Sequence, residues 1–156
     1  MKKPSEDSLP SKETIWLTID DFEFICFDFT RKYLTLNEPI PDYSTRENAL
    51  LESALGSPKQ SFNGKFLYPT LAKQASILFY SLIKNHPFKN GNKRIAIISL
   101  LVFLSLNNKW LSVQPYDLYK FAQEVAETES KGKDRILKSI EKTIENSLTQ
   151  FPKNTL

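Results

Sequence analysis

Acidic residues are missing from the middle of this 156-residue chain: no Asp or Glu occurs between Glu52 and Asp117. The same stretch carries Lys59, Lys65, Lys73, Lys84, Lys89, Lys93, Arg94 and Lys109. The formal net charge of +3 hides this, because the rest of the chain is net acidic. A focused cationic segment attracts a polyanion such as a nucleotide triphosphate; for Lys59 and Lys109 a plain solvated face is the better reading. Cysteine is nearly absent too. The single Cys26 excludes an internal disulfide and fits a reducing cytosol, so a cytoplasmic protein is expected. Histidine occurs once, as His86, with no second His or nearby Cys to complete a metal site. The apolar run Ile95 to Leu106 is too short to span a bilayer and is interrupted by Ser99 and Ser105. Residues 1–13 are polar, without the apolar core of a signal peptide or anchor, and their Pro-, Ser- and charge-rich composition predicts disorder. No membrane association is expected.

What is present reads as one helical domain over residues 14–150. Hydrophobic residues at 40% and charged residues at 25% are ordinary for a globular protein of this length. Thr18, followed by Asp20 and Asp21, reads as a helix start. Phe22, Ile25, Phe29 and Tyr33 then share a helical face, although the alternation of Phe22 with Phe24 and of Phe27 with Phe29 would also suit a strand. Asn37 to Ser44, with two prolines, is a loop. Thr45 to Leu55 is a short helix ended by Gly56 and Pro58. Phe62-Asn63-Gly64-Lys65-Phe66 places an Asn-Gly turn between aromatics, a hairpin signal. Pro69 to Lys84 is amphipathic, with Leu71, Ala75, Leu78 and Leu82 on one side. Lys93 to Leu106 is apolar on all sides, which predicts the buried central helix of a bundle. Pro115 opens a helix whose Leu118, Phe121, Ala122 and Val125 share a face. After Gly132, Ile136, Ile140, Ile144 and Leu148 recur every four residues in a last helix. The expected class is all-α with one small β-hairpin.

The loop between the two central helices is His86-Pro87-Phe88-Lys89-Asn90-Gly91-Asn92-Lys93-Arg94. It ends on a helix N-terminus, where unpaired N–H groups and the positive end of the helix dipole favour an anion. His86 has the side chain best suited to serve as general base at neutral pH; a structural helix-terminal histidine is the alternative. Phe88 is expected to anchor the loop in the core. Gly91 lets backbone approach a phosphate, or simply turns the chain in a left-handed conformation. Asn92 can cap the helix or donate its amide to a phosphate oxygen. Lys93 and Arg94 would neutralise phosphate charge during transfer.

These nine residues resemble the signature of the Fic/Doc family, H-x-F-x-[DE]-G-N-[GK]-R, and Lys93 resembles the Doc branch. Asn48 to Leu55, Tyr68-Pro69-Thr70-Leu71-Ala72 and Lys84-Asn85 are similar to Doc-type sequences, so the resemblance covers Thr45 to Asn107. It implies a single-domain Fic/Doc helical bundle and a toxin that transfers the γ-phosphate of ATP to a hydroxyl of a cytosolic protein, elongation factor Tu in the case of Doc. Magnesium is the implied cofactor. Asn90 stands where the family often has Asp or Glu, and as an amide it is a weak, neutral ligand for that metal. Ile97 stands where nucleotidyl-transferring relatives carry a further Arg, which argues against their mode of holding ATP. The hairpin residues Phe62, Asn63, Gly64, Lys65 and Phe66 match the family's flap, on which a target segment could pair as an added strand; a plain surface hairpin is the alternative. No inhibitory [ST]-x-x-x-E-[GN] pattern occurs, since Glu145-Asn146 is preceded by Glu141. Restraint is therefore expected from a Phd-like antitoxin docking a helical segment, with the first-helix aromatics Phe22, Phe24, Phe27 and Phe29 as its candidate seat. Protein adenylylation and a non-catalytic binding protein of the same fold are the competing functions. Direct nucleic-acid binding is weaker, because the cations sit in a phosphate-loop context without a recognised motif.

Overall fold

Thr18 begins the first helix as expected: its hydroxyl accepts the Asp21 N–H at 3.2 Å. The computed structural model describes residues 14–34 and 38–151; residues 1–13, expected to be disordered, and Asn37 of the expected loop lie outside the described residues. Helix α1 covers 19–33 in three sections: α-helical Ile19–Asp21, π-helical Phe22–Phe27 and α-helical Asp28–Tyr33. The π section changes which side chains face inward. A simple 3.6-residue period puts Phe22 with Ile25, Phe29 and Tyr33, but Phe22, Cys26, Phe27 and Thr30 are the buried set. Ile25, Phe29 and Tyr33 remain exposed, as does Phe24. The expected aromatic seat is thus split: Phe22 and Phe27 belong to the core, Phe24 and Phe29 to the exterior.

Helix α2, Asn48–Gly56, runs directly into a 3-10 turn, Ser57–Lys59. Gly56 is the last residue of the helix and stays right-handed at φ −81°. The hairpin follows, with β1, Ser61–Phe62, paired to β2, Lys65–Phe66. Asn63 and Gly64 both have positive φ, as a type I′ turn requires. Helix α3, Leu71–Asn85, is capped by Thr70, and α4, Asn92–Leu106, returns antiparallel beside it after a short loop. Strand β3, Lys109–Leu111, precedes α5, Pro115–Glu127; α6, Lys133–Ser147, leads into β4, Leu148–Gln150. The antiparallel β3–β4 ladder was not expected, and it takes Leu148 out of the helical row that ends at Ile144.

The helix at the centre is α3 rather than α4. It packs against α2, α4, α5 and α6, and residues 74–83 are all buried. Its polar side chains are accommodated locally: Ser76 donates to the Ala72 carbonyl at 2.7 Å, and Gln74 donates to Tyr68 at 3.0 Å. Hydroxyls that bond back to the preceding turn can be buried at little cost, which makes α3 look more amphipathic than it is. Helix α4 buries Ile95, Leu100, Phe103 and Leu104 but leaves Ile98, Leu101 and Val102 half-buried. Among the described residues no helix is long and apolar enough to cross a membrane.

Candidate active site

The loop that joins α3 to α4 departs from helical geometry at both ends. His86, which terminates α3, takes the left-handed conformation at φ 52° and ψ 55°. A residue before proline is disfavoured in the right-handed helical region, so Pro87 helps to stop the helix there. The Pro87 carbonyl then accepts the Glu47 N–H at 2.8 Å, and Asn85 donates to the Leu50 carbonyl at 3.0 Å. These bonds tie the loop to the start of α2. His86 itself is exposed.

Phe88 anchors the loop as expected. It is 3% exposed and lies against Phe22, Phe27 and Tyr43, with ring centroids 6.1, 5.1 and 6.2 Å away. Burial in this cluster raises the Tyr43 phenol above its ordinary pKa. The π section of α1 matters here, because it turns both Phe22 and Phe27 toward Phe88. Asn92 completes the loop from the other side. Its Oδ1 accepts the Phe88 N–H at 3.0 Å, and its Nδ2 donates to the Phe88 carbonyl at 2.7 Å. The buried amide is thus engaged with the loop backbone and makes no capping bond to α4.

Gly91 sits at the N-cap of α4 with φ 84°. A Cβ there would lie 2.6 Å from Cγ1 of Ile40, so the close approach that requires glycine is to a side chain of the 38–46 segment. Arg94 is buried and holds the same segment. Its Nη1 donates to the Leu34 carbonyl and its Nη2 to the Glu38 carbonyl at 2.9 Å. Asn90 adds a bond from Nδ2 to the Pro39 carbonyl at 3.0 Å. Arg94 and Asn90 thus bond backbone at Leu34, Glu38 and Pro39, and Gly91 packs against Ile40.

Even so, the loop encloses one polar pocket of about 140 Å³. His86, Asn90, Gly91, Asn92, Lys93 and Arg94 all line it, so the expected catalytic and phosphate-binding residues are brought together. The first intrahelical bond of α4 runs from the Ile95 N–H to the Gly91 carbonyl, at 2.9 Å. The N–H groups of Asn92 and Lys93, ahead of it, therefore have no partner within the helix. The pocket is smaller than the 300 Å³ or more usual for a whole small-molecule ligand. Its size and lining suit a small anionic group.

Three further residues line this pocket that the sequence did not single out for it: Glu38, Lys89 and Tyr119. Lys89 lies inside the nonapeptide and could have been found from its charge alone. Glu38 and Tyr119 reach the site from distant parts of the chain and give no local signal. The other central cations disperse. Lys84 donates to the Ala126 and Thr128 carbonyls, at 3.1 and 2.5 Å, and Lys73 pairs with Glu141 at 3.0 Å.

The hairpin is where the structure departs from the expected flap. Phe66 meets Trp16 at 6.3 Å between ring centroids, and Trp16 stacks on Phe103 at 6.5 Å. Phe103 is near the C-terminal end of α4, whereas the pocket is at its N-terminus. Fifteen helical residues span about 22 Å. Phe62, Asn63, Gly64, Lys65 and Phe66 thus sit at the opposite end of the α3–α4 pair, and none of them lines the pocket. The chain that does lie against the loop is the 38–47 segment.

Toxin Doc of Mycolicibacterium smegmatis (strain ATCC 700084 / mc(2)155) is 34% identical over 71 residues, which are 46% of this chain and 55% of that protein. The similarity therefore spans about half the length of this curated relative. No solved structure matches. A family model described as the Fic/DOC family matches residues 16–104. That span takes in the first helix as well as the region from Thr45 where the sequence resemblance begins. It contains the His86 to Arg94 loop with the helices on both sides, and it covers more than half of the chain: the protein belongs to the Fic/DOC family.

Proposed function

We propose that this protein is a Doc-like toxin that transfers the γ-phosphate of ATP to a Thr or Ser hydroxyl of a cytosolic protein, with elongation factor Tu as the first acceptor to examine. The observation that carries this reading is the meeting of His86 with the N-terminus of α4 in a single polar pocket. The exposed imidazole accepts the proton of the acceptor hydroxyl as its oxygen attacks the γ-phosphorus, and the bond from that phosphorus to the β–γ bridging oxygen breaks to release ADP. Lys93 and Lys89 supply positive charge to the phosphate oxygens, and the N–H groups of Asn92 and Lys93 add donors at the helix end. Arg94, held by two carbonyls, shapes the pocket wall. Asn90 is the loop residue that could contribute an oxygen to magnesium, whose chemistry when bound would be to neutralise phosphate charge.

A partner surface accompanies this reading. Ile25 and Phe29 of α1 line an apolar groove of about 290 Å³ with Ile98, Leu101, Val102 and Trp110. Such a groove would accept the apolar face of an antitoxin helix of the Phd type.

The test is incubation of the purified chain with ATP and a bacterial cytosolic extract, followed by intact-mass measurement of modified proteins. A phosphoryl increment is expected. It should fall by about 100-fold or more in His86→Ala, and likewise in His86→Asn, whose side chain tolerates the left-handed backbone. An adenylyl increment would replace the kinase reading with nucleotidyl transfer. Unmodified proteins throughout would favour a binding protein, with the neutral Asn90 as the feature that sets it apart from catalytic relatives.

A further inference from the structure

The expected weakness of this site is its charge. Asn90 brings an amide where a metal-binding loop needs a carboxylate, and the sequence around it contains no acid to replace it. The fold brings one from elsewhere. Glu38 lines the same pocket as Asn90, and no other Asp or Glu does. Its position is held on both sides: Arg94 grips its own carbonyl at 2.9 Å, Asn90 bonds the next carbonyl, Pro39, at 3.0 Å, and the Ile40 side chain is buried against Gly91. Among the described residues the Glu38 carboxylate makes no hydrogen bond or ion pair, although Lys89 and Lys93 line the same pocket.

The Asn90 amide has an oxygen to spare. Only its NH₂ can face the Pro39 carbonyl, which fixes the amide and leaves Oδ1 without a protein partner. Two residues that carry hard oxygen donors, from separate segments, therefore line one pocket. We propose that Glu38 and Asn90 form a divalent-cation site completed by the phosphates of the bound nucleotide, with the Glu38 carboxylate supplying the negative charge that an amide at position 90 does not.

Magnesium suits such a site, since it usually takes one or two carboxylates together with substrate phosphates and water. Two donors alone hold it poorly, and no group of three or more His, Cys, Asp or Glu exists among the described residues. The lysines beside them repel a bare cation. The ion and the nucleotide must therefore bind together. This inference rests on the nucleotide reading given above.

The measurement is Mn²⁺ binding to the full chain, read from the free-ion electron paramagnetic resonance signal, with and without adenylyl imidodiphosphate. Binding is expected only with the nucleotide. Glu38→Gln should weaken it by about tenfold, since ligand charge sets affinity at such sites. Adding Asn90→Asp to that variant should restore it by returning a carboxylate to the loop. Nucleotide affinity in EDTA should not weaken in Glu38→Gln, because removing a carboxylate beside the phosphates lessens repulsion, and circular dichroism should be unchanged. Wild-type Mn²⁺ affinity in Glu38→Gln would overturn the proposal while leaving the nucleotide site intact. A loss that Asn90→Asp does not restore would also overturn it, reducing Glu38 to a loop-shaping role. If wild type binds no nucleotide at all, both this site and the transferase reading fall.

Discussion

A side chain at position 91 would have nowhere to go. The left-handed φ of 84° disfavours any L-residue, and Ile40 occupies the space that a Cβ would need. Gly91→Ala is expected to destabilise the protein by about 1–3 kcal/mol, measured by urea unfolding. Part of that loss is steric, so combining it with Ile40→Ala should cost less than the two single changes added together, by about 1 kcal/mol. Additive behaviour would mean that backbone conformation alone makes glycine necessary. The sequence revealed which residue types the loop brings together, because a His, a Gly, two Asn and adjacent cations in nine positions serve an anion better than a helix. It could not reveal how each is used. Asn92 has the donor and acceptor of a phosphate-binding or capping residue, yet each makes a bond to Phe88, four residues back. Arg94 has the charge of a phosphate clamp, yet it grips the Leu34 and Glu38 carbonyls.

At the scale of elements, positive charges that read as one field divide into separate tasks. Lys84 sits at the end of α3, but its ammonium closes the C-terminus of α5 by bonding the Ala126 and Thr128 carbonyls. A cation there satisfies orphan carbonyls and opposes the negative end of the helix dipole. Lys84→Met keeps most of the aliphatic stem and removes only the charge, so it is expected to cost about 1–2 kcal/mol. Hydrogen exchange should quicken in the last turn of α5, which is the helix that carries Tyr119 to the pocket. Unchanged exchange there would show that the helix end is held by other contacts. Helix existence was legible from periodicity, and helix faces were less so. In α1 the π section inserts extra residues per turn, which puts Phe27 with Phe22 in the core and turns Ile25 and Phe29 to the groove. No local sequence rule announces that shift.

Over the whole molecule, the all-α class and the order of helices followed from patterns that each segment carries within itself. The place of the hairpin did not, because it depends on Trp16, which links Phe66 to the far end of α4 across long sequence separations. With Phe62 70% exposed at that far end, Phe62→Ala is expected to change stability by no more than about 0.5 kcal/mol and to leave nucleotide binding and target modification unaltered. Lost modification with intact nucleotide binding would instead make the hairpin a contact for the target. A quieter property of the molecule lies beneath α1. Cys26 is fully buried, and burial is the main reason its thiol is pushed up to about 12, so at neutral pH it is neither accessible nor ionised. The chain is therefore spectroscopically blank to thiol reagents. A cysteine introduced beside the pocket or on the apolar groove would be its one reactive label, and motions at either place could be followed without first redesigning the core.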